Sequence, residues 1–463
     1  MRRGRRPIDN AWLGVFRIAF GFTMFFQMVV VHPPRRIYLD YIYPELHFKY
    51  FGLWWIEALP GGLMYLMVWG LGVLSLLVAA GLWYRLSTAL LTIGYIWFFL
   101  IDQAQFQNHY YLLCLLCLLM NIMPAGRVWS VDARRRDGTA STTAPAWTLW
   151  LLRFQIGIVF FYGGVAKLNG DWLSGSSMAH QLGLRMDTPL IGHLFDRPEI
   201  ILCFTYSGLL LDLLIVPMLL WRRTRWLAFA GGIVFCVINS NLFEIGVFPW
   251  FMITATSIYF RPDWPRVLAR RLGVDLDVTE SAPAPEPAPL SRRHRVAIAV
   301  LALYAVLQIL VPLRHHLYPG NVAWNRMGAR FSWHMRLHNW IPVYPQFYVT
   351  FPDTGAMARF QLSDLRINLD QETRMATRPD MIQQLCRYIS DRFAEEGVEG
   401  VQVRARIGVA LNGRPPQLLV DPSVDLAATP RTLMPLPWVS ELVDNTRTAE
   451  AGRQGEGEGK SSY

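Results

Sequence analysis

The sequence has little charge for its length. Of its 463 residues, 17% are charged and 53% are hydrophobic, whereas a soluble domain has roughly 25% charged and 45–50% apolar residues. This shortage of charge argues against a purely soluble enzyme. Cysteine is also scarce, because there are only five cysteines and all but Cys386 lie inside apolar segments. A single cysteine in the polar C-terminal third excludes an intrachain disulfide within that third.

The basic residues do not accompany a nucleic-acid motif. The formal net charge is +10 and there are 18 tryptophans, a combination typical of membrane proteins. No recognition motif lies beside the lysines and arginines, so we expect no nucleic-acid partner. His334 and His338 have the i, i+4 spacing of a helical metal pair, but no third ligand accompanies them. We therefore expect no metal.

Long apolar segments are what the sequence does contain. A helix that crosses a bilayer needs about 20 mostly apolar residues, and nine segments meet or nearly meet this length. They cover 11–31, 61–84, 87–101, 109–125, 147–167, 200–221, 226–243, 246–260 and 296–313. The eighth is short and contains Pro249, so a re-entrant segment is the alternative there.

The loop charges predict an orientation. If all nine segments cross, most loop lysines and arginines fall before the first segment and in 127–136, 222–225 and 261–295, whereas few lie in the opposite loops. Basic loops stay in the cytoplasm, so the N-terminus is predicted to be cytoplasmic. Everything after residue 313 is then extracytoplasmic, and the protein belongs in the cell (inner) membrane.

The chain divides into two predicted domains. We expect a transmembrane helical domain over 1–313, with a cytoplasmic proline-rich linker at 279–291, and an extracytoplasmic α+β, β-rich domain over 314–443. In the latter, alternating segments flank two turn sequences and predict two hairpins, with a helix between them that begins after Asp380. The tail 444–463 is rich in Gly, Glu and Ser and is predicted to be disordered.

Polar residues gather at the predicted outer ends of the helices. Each charged side chain at a helix centre costs about 2.5–3.5 kcal/mol, so their clustering indicates a site. Lys167 follows Phe160 and Tyr162, and Gly163 and Gly164 lie on its helical face. Desolvation there would make the lysine a usable base. The alternative is a lysine that snorkels to the interface above a glycine packing motif.

Further polar side chains extend this candidate site. His109 is predicted to be catalytic with Lys167, and the predicted pocket residues are Asn108, Phe160, Tyr162, Gly163, Gly164, Asp171, Trp172, Asn239, Asn241 and Glu244. The alternatives are that His109 anchors the helix at the interface and that the cluster Asn239–Asn241 caps a helix end. Asp212 and Arg153 lie deeper in the apolar segments and are predicted to be structural, as a pair. Glu244 is an alternative partner for Lys167.

Four motifs resemble those of the vitamin K-dependent γ-glutamyl carboxylase family, which is built on the horizontally transferred transmembrane domain. They are Trp129-Ser-Val-Asp132, Gly163-Gly-Val-Ala-Lys-Leu-Asn-Gly-Asp-Trp172, Asn239-Ser-Asn-Leu-Phe-Glu-Ile-Gly-Val-Phe248 and Arg261-Pro-Asp-Trp-Pro-Arg266. Leu419–Leu426 and Leu433–Trp438 are similar to segments of the family's extracytoplasmic domain. The likeness covers most of residues 10–440, and the chain is similar to a short, bacterial-type member.

The resemblance implies a reaction that couples two substrates. Reduced vitamin K, a naphthoquinol of the menaquinol or phylloquinol type, loses a proton to the lysine that matches Lys167 and reacts with O2 to become a strong base. This base removes the γ-proton of a protein glutamate, CO2 adds to the carbanion, and quinone epoxide and water leave. The family's active-site histidine matches His109. The implied partners are a lipid quinone, the bilayer and a protein or peptide that contains glutamate.

Two other functions stay open at this stage. One is a quinol epoxidase or monooxygenase that does not carboxylate protein. This alternative is relevant because the animal enzymes have a histidine three residues before the asparagine that matches Asn239, where this chain has Cys236. The other is a non-catalytic quinone- or lipid-binding scaffold, in which Lys167 only snorkels to the membrane interface.

Overall fold

In the described residues of the N-terminal two thirds of the chain, nine apolar helices are present. In this computed structural model, residues 6–135, 140–189, 191–243, 246–274, 276, 292–335 and 337–443 are described. The nine helices are α1 (Ala11–Val29), α3 (Gly62–Ala80), α4 (Tyr84–Leu100), α5 (Asn108–Ile122), α7 (Ala146–Ala166), α10 (Pro198–Leu220), α11 (Arg225–Phe243), α12 (Phe248–Thr256) and α14 (Arg292–Leu313).

Shorter elements connect these helices and form the C-terminal region. The remaining helices are α2 (Pro34–Ile37), α6 (Val131–Arg135), α8 (Gly170–Leu173), α9 (Ser176–Gly183), α13 (Trp264–Arg271), α15 (Val322–Asn325), α16 (Leu369–Met375) and α17 (Pro379–Glu395). The strands are β1 (Pro7–Asp9), β2 (Thr143–Pro145), β3 (Trp340–Thr350), β4 (Met357–Phe360), β5 (Gln402–Leu411) and β6 (Gln417–Leu418).

Six of the helices in the described ranges are long and apolar enough to cross a bilayer. They are α1, α3, α7, α10, α11 and the helical span Arg295–Leu317, which contains most of α14 and the turn after it. Helices α4 and α5 are apolar but shorter, with 17 and 15 residues. Helix α12 has only nine residues, about 14 Å at 1.5 Å per residue, which is less than half of the hydrocarbon core. The chain is a multi-pass membrane protein, and the expectation of nine crossings stays a prediction.

One face of the helical region is formed by segments that the loop charges assign to the cytoplasm. We call it the N-terminal face. Here β1 pairs antiparallel with β2, and Asp9 forms an ion pair with Arg266 at 3.1 Å. Arg17 is fully buried in α1 and donates hydrogen bonds to the carbonyls of Ala79 and Val128 at 3.2 and 2.6 Å. Buried charge needs such partners, so Arg17 ties the end of α3 and the segment after α5 to α1.

The opposite face, which we call the domain face, contacts the C-terminal region. Asp102, between α4 and α5, is 1% exposed. It accepts hydrogen bonds from the backbone N–H of Phe48 at 3.2 Å and from Gln371 Nε2 at 2.7 Å. The side chain of Gln384 accepts a bond from Lys49 N at 2.8 Å. Two loops of the helical region are therefore bonded directly to helices α16 and α17.

Helix α12 reaches from the domain face toward the N-terminal face. Its first residue, Phe248, stacks near His109 at the start of α5, with 5.4 Å between the ring centroids. A 3₁₀ turn, Ser257–Tyr259, extends the helix. Arg153 donates hydrogen bonds to the carbonyls of Ile258 and Phe260 at 2.8 and 3.0 Å. The short segment is thus continued by a turn whose free carbonyls are satisfied by an arginine.

The C-terminal region contains a four-stranded antiparallel sheet in the order β4-β3-β5-β6. Both predicted hairpins are present, and their long strands β3 and β5 pair with each other at the centre. Helix α17 packs its apolar side against β5, burying Ile382, Leu385, Cys386 and Ile389. Arg378 rather than Asp380 precedes the helix, because Pro379 occupies the first helical position. Asp380 lies in the first turn.

Some predictions fall outside the described residues. The linker 279–291, the tail 444–463 and Glu244 are among them. The boundary at residue 313 separates two cores only in part, because Trp333 belongs to the helical core, whereas Phe48 and Ala104 pack into the core of the C-terminal region.

Removing the Asp102 carboxylate should weaken the contact between the two regions. In Asp102→Ala the N–H groups of Phe48 and Ala104 and the amide of Gln371 lose a buried acceptor. An unsatisfied buried donor costs about 1–3 kcal/mol. We expect a lower unfolding temperature and faster proteolysis of the C-terminal region in detergent. Asp353→Ala, in the exposed β3–β4 turn, is the matched control, and equal effects of the two variants would contradict this account.

Candidate functional site

A cavity of about 720 Å³ lies at the domain face. Helices α5, α7, α10, α11 and α12 and the segment after α14 form its wall. The apolar lining consists mainly of Val159, Phe160, Trp172, Met178, Phe204, Phe235, Ile238, Phe248, Met252 and Met335. The polar lining includes Asn108, His109, Lys167, Asp212, Asn239 and His334. The cavity thus brings together residues from five of the apolar helices and from the shorter helices α8 and α9.

Lys167 and Asp212 form a buried ion pair in the cavity wall. Lys167 follows the last residue of α7, and its side chain is 9% exposed, while the Asp212 side chain in α10 is 5% exposed. Lys167 Nζ donates to Asp212 Oδ2 and lies 5.2 Å from the centre of the Trp172 ring. Each side chain neutralises the charge of the other, because burying either charge alone in this apolar wall would carry a large desolvation cost.

The expected pair of Asp212 with Arg153 does not form. Arg153 lies near the other end of α7, where it bonds to the carbonyls of Ile258 and Phe260 and packs against the rings of Trp150 and Tyr259. Helix α10 presents Asp212 to the end of α7 that carries Lys167. The partner of an intramembrane charge depends on which helix ends meet, and apolar periodicity does not specify that.

Two glycines allow α7 and α10 to approach each other beneath the ion pair. A Cβ atom on Gly164 would lie 2.6 Å from Leu213 Cδ2 and 3.1 Å from the Leu213 backbone nitrogen. A Cβ atom on Gly163 would lie 3.2 Å from Asp212 Oδ2. The neighbouring helix therefore occupies the space that the glycines leave, and the predicted packing role of this pair agrees with the geometry.

His109 and Asn108 face the same cavity from the start of α5. The ring of His109 lies between those of Tyr110 and Phe248, at centroid distances of 4.6 and 5.4 Å. Asn108 Nδ2 donates to the carbonyl of His334 at 2.8 Å. Within the described part of the chain, the buried Oδ1 of Asn108 has no hydrogen-bond partner. It is an available acceptor for a ligand hydroxyl.

The other predicted residues lie at different distances from the cavity. Asn239 and Cys236 of α11 line it. Asn241 is exposed and bonds to the carbonyl of Val237 in its own helix at 2.7 Å, which is a structural contact. The Tyr162 hydroxyl donates to the carbonyl of Ile309 in α14 at 2.7 Å, so it joins two helices.

Asp171 anchors the segment after Lys167 to the C-terminal sheet. It forms two hydrogen bonds with Arg414, at 2.7 and 2.8 Å, and accepts a third from Asn412 Nδ2 at 2.7 Å. Burial alone would raise the pKa of Asp171, but these donors outweigh it and the pKa lies below its ordinary value. Trp172 beside it donates its indole N–H to the Thr205 carbonyl at 3.0 Å. Asp171 is therefore a link between the regions rather than part of the cavity wall.

The C-terminal region contributes residues that the sequence reasoning missed. His334 and Met335 line the cavity, and a second cavity of about 200 Å³ shares Gln107, Asn108 and His334 with it. Arg326, Arg330 and Arg378 line this second space together with Asp380. The apolar residues of the segment 326–339 have no helical or strand periodicity. The signal that could have predicted this lining is the spacing of four between Arg326, Arg330, His334 and His338.

The two histidines of this segment are neutral near pH 7. Burial, and then the neighbouring His315, lower the pKa of His334 to about 3. Burial lowers the pKa of His338 to about 4, and its Nδ1 lies 3.1 Å from Asn412 Nδ2. Among the described residues, no three His, Cys, Asp or Glu side chains are grouped so that they could hold a metal ion.

These features define a class of protein: a multi-pass membrane protein with an apolar cavity where its helices meet a C-terminal α+β region. Residues 5–264 match the HTTM domain family, and residues 293–445 match the family described as vitamin K-dependent gamma-carboxylase, lumenal domain. The chain belongs to the vitamin K-dependent gamma-carboxylase family, as its motifs predicted. No solved structure matches the chain.

A side chain at Gly164 should push α7 and α10 apart. Gly164→Ala places a methyl group against Leu213, and overpacking of this kind costs typically about 1–3 kcal/mol. We expect a lower free energy of unfolding in detergent micelles. Gly70→Ala in α3 is the control, because no atom lies within 4 Å of its Cβ position. A destabilisation of Gly70→Ala as large as that of Gly164→Ala would refute the packing argument.

Proposed function

We propose that the protein oxygenates a reduced vitamin K-type quinol to its epoxide and uses that reaction to carboxylate a glutamate side chain with CO2. The observation that carries the proposal is the Lys167–Asp212 pair in the wall of an apolar cavity, in a chain of the carboxylase family. A soluble cofactor would not need a cavity among membrane helices, whereas a lipid quinol reaches such a cavity from the bilayer.

The cavity fits a naphthoquinol in size and chemistry. Ligand cavities commonly have volumes of about 300–1,000 Å³ and a mostly apolar wall with a few polar groups. The volume here is about 720 Å³. Phe160 and Phe248 offer apolar contacts to a ring, and the buried Asn108 Oδ1 offers an acceptor for a hydroxyl. With O2, the bound quinol would supply the strong base that removes the γ-proton from the acceptor.

Lys167 acts as the base toward the quinol hydroxyl, with Asp212 as its positioning residue. A proton moved along the hydrogen bond from Lys167 Nζ to Asp212 leaves an amine beside a neutral carboxylic acid. The amine at Lys167 Nζ could then accept a proton from a hydroxyl bound beside it, and Lys167 would again carry the positive charge. This sequence keeps the site neutral before and after the transfer, which a low-dielectric cavity requires.

His109 and the closed wall have a separate role. The histidine contacts two aromatic rings at the start of α5, and these contacts restrict its ring. From there it can hydrogen-bond to an oxygen of the quinol or of the species formed from it. The aromatic wall and Met335 of the C-terminal region exclude water, which would otherwise protonate a strong base.

The proposed orientation has the N-terminal face in the cytoplasm and the C-terminal region outside, with α12 and its 3₁₀ turn as the eighth of nine crossings. Three observations support it. On the N-terminal face, Arg266 of the segment 261–295 contacts Asp9, close to the N-terminal basic residues, and the ring of Trp129 in the segment 127–136. The opposite loops contact the C-terminal region. Helix α12 starts at the cavity, and its extension ends beside Arg153.

Replacing Lys167 by arginine should abolish epoxide formation without unfolding the protein. Arginine retains the ion pair with Asp212 but does not release its proton near neutral pH. Because general bases contribute about 10²- to 10⁴-fold, we expect a loss of this size in membranes supplied with reduced vitamin K, measured by chromatography of the epoxide. Lys49→Arg, outside the cavity, is the control. An active Lys167→Arg variant with an unchanged unfolding temperature would contradict the role of Lys167 as the base.

Cysteine labelling in intact cells tests the orientation. Ser423→Cys, exposed in the C-terminal region, should react with a membrane-impermeant maleimide, while Arg135→Cys, exposed on the N-terminal face, should react only after permeabilisation. The unsubstituted protein corrects for the native thiol of Cys203, which is exposed. Protection of both introduced cysteines in intact cells would mean that an even number of segments cross.

A further inference from the structure

The second cavity at the domain face has an excess of positive charge. Three guanidinium groups, those of Arg326, Arg330 and Arg378, line its about 200 Å³, and Asp380 is the carboxylate among the lining residues. Arg330 Nη1 donates to Asp380 Oδ2 at 2.7 Å. One carboxylate does not balance three arginines, so the cavity attracts an anion.

Two of the arginines have buried donors without partners. In the described structure, Arg330 Nε and Nη2 and Arg378 Nε are buried and make no hydrogen bond. Arg378 is only 8% exposed, and its Nη1 has a long contact of 3.4 Å to the carbonyl of Gln103. Unsatisfied buried donors are costly, and more so when they carry charge. These buried N–H groups of Arg330 and Arg378 are therefore available to a ligand that accepts hydrogen bonds.

The third arginine is held in a fixed position. The guanidinium of Arg326 stacks on the ring of Trp340, with 3.9 Å between its carbon and the ring centre, and its Nη1 donates to Thr377 Oγ1 at 3.0 Å. Burial, and then the charge of Arg330, lower the pKa of Arg326 to about 9. Burial and the neighbouring arginines also lower the pKa of Arg378. Both shifts express mainly the cost of burying these cations, which only the charge of Asp380 offsets in part.

A carboxylate is the anion that this arrangement suits. A guanidinium presents parallel N–H groups that match the two oxygens of a carboxylate. The cavity is small, and it shares Asn108 and His334 with the larger cavity that contains Lys167. If the carboxylate of an acceptor side chain lies among the arginines, the carbon bonded to that carboxylate would therefore lie close to the larger cavity.

We propose that Arg326, Arg330 and Arg378 form a subsite that binds the side-chain carboxylate of the acceptor and stabilises the second negative charge that develops on it during the reaction. This inference rests on the proposed function. When the strong base takes the proton from the carbon next to the carboxylate, the C–H electron pair stays on the substrate and spreads onto the carboxylate oxygens. The side chain then carries two negative charges.

The three arginines stabilise the doubly charged side chain that forms when the proton is removed. Bonding of the carbanion carbon to the carbon of CO2 preserves the total charge, and the product has two carboxylates on one carbon. A site with a single arginine would bind the starting carboxylate, whereas three arginines favour the dianionic states that follow. Preorganised charges of this kind stabilise a transition state without the cost of reorganisation.

Binding of three small probes to the full-length protein in lipid nanodiscs, without quinol, tests the subsite. The probes are N-acetylated, C-amidated glutamine, glutamate and γ-carboxyglutamate, which carry none, one and two side-chain carboxylates. We expect affinity to rise in that order, by about tenfold or more per carboxylate, which corresponds to about 1.4 kcal/mol. Equal affinity for the three probes would overturn the proposal.

Two substitutions with opposite expected effects separate a binding role from a structural one. Arg330→Gln should weaken glutamate binding by about tenfold, the size of a charged hydrogen bond. Asp380→Asn should strengthen it, because the Asp380 carboxylate competes for Arg330. Arg359→Gln, exposed on β4, is the charge-matched control. If Asp380→Asn weakens binding as much as Arg330→Gln does, the cluster is structural and the proposal fails.

The same preparation distinguishes this inference from the proposed function. Epoxide formation by the wild-type protein depends on the Lys167 cavity, whereas probe binding without quinol depends on the arginines. Ordered probe binding without epoxide formation would contradict the proposed reaction and leave the carboxylate subsite standing. Epoxide formation without ordered probe binding would overturn the subsite alone.

Discussion

The structure of the cavity depends on the ion pair between Lys167 and Asp212. Neither charge is tolerable alone among apolar helices, so the pair holds the end of α7 against the part of α10 that carries Asp212. Gly164 makes that approach possible, because a side chain there would collide with Leu213 of α10, and a side chain at Gly163 would be tight against Asp212 and Met335. The ion pair, the glycines and the rings around them thus form one unit. Its consequence is a lysine that stays inside an apolar cavity with a proton acceptor beside it.

Much of the helical architecture could be predicted from the sequence, because the bilayer imposes a length and the cytoplasm imposes a charge. Each of the nine apolar segments contains a helix, and the basic segments gather on one face. The lengths were less predictable. Helix α12 ends after nine residues, since a 3₁₀ turn and the hydrogen bonds from Arg153 replace the last turns of a longer helix. The hydropathy of the segment does not reveal that its α-helix ends early and continues as a 3₁₀ turn.

The candidate site was predictable in part. Lys167, His109, Asn108 and Asn239 were singled out as polar residues at helix ends, and the structure brings all four to one cavity. The partner of Lys167 is not the predicted one. Asp212 and Arg153 both lie deep in apolar segments and were paired with each other, with Glu244 as the alternative partner of Lys167, whereas Lys167 pairs with Asp212. His334 was assessed only as a metal ligand. Its contact with Asn108 joins segments 226 positions apart, and no local pattern encodes that.

The central claim is that quinol oxygenation in the Lys167 cavity drives carboxylation of an acceptor in the neighbouring space. The most direct measurement follows both products at once: purified protein in nanodiscs is given reduced vitamin K, O2, labelled CO2 and a glutamate-containing peptide. The account predicts epoxide together with label fixed in the peptide, and loss of fixed label when quinol is omitted. Epoxide without any fixed label, at saturating peptide, would contradict the coupling, and absence of both products would contradict the reaction itself.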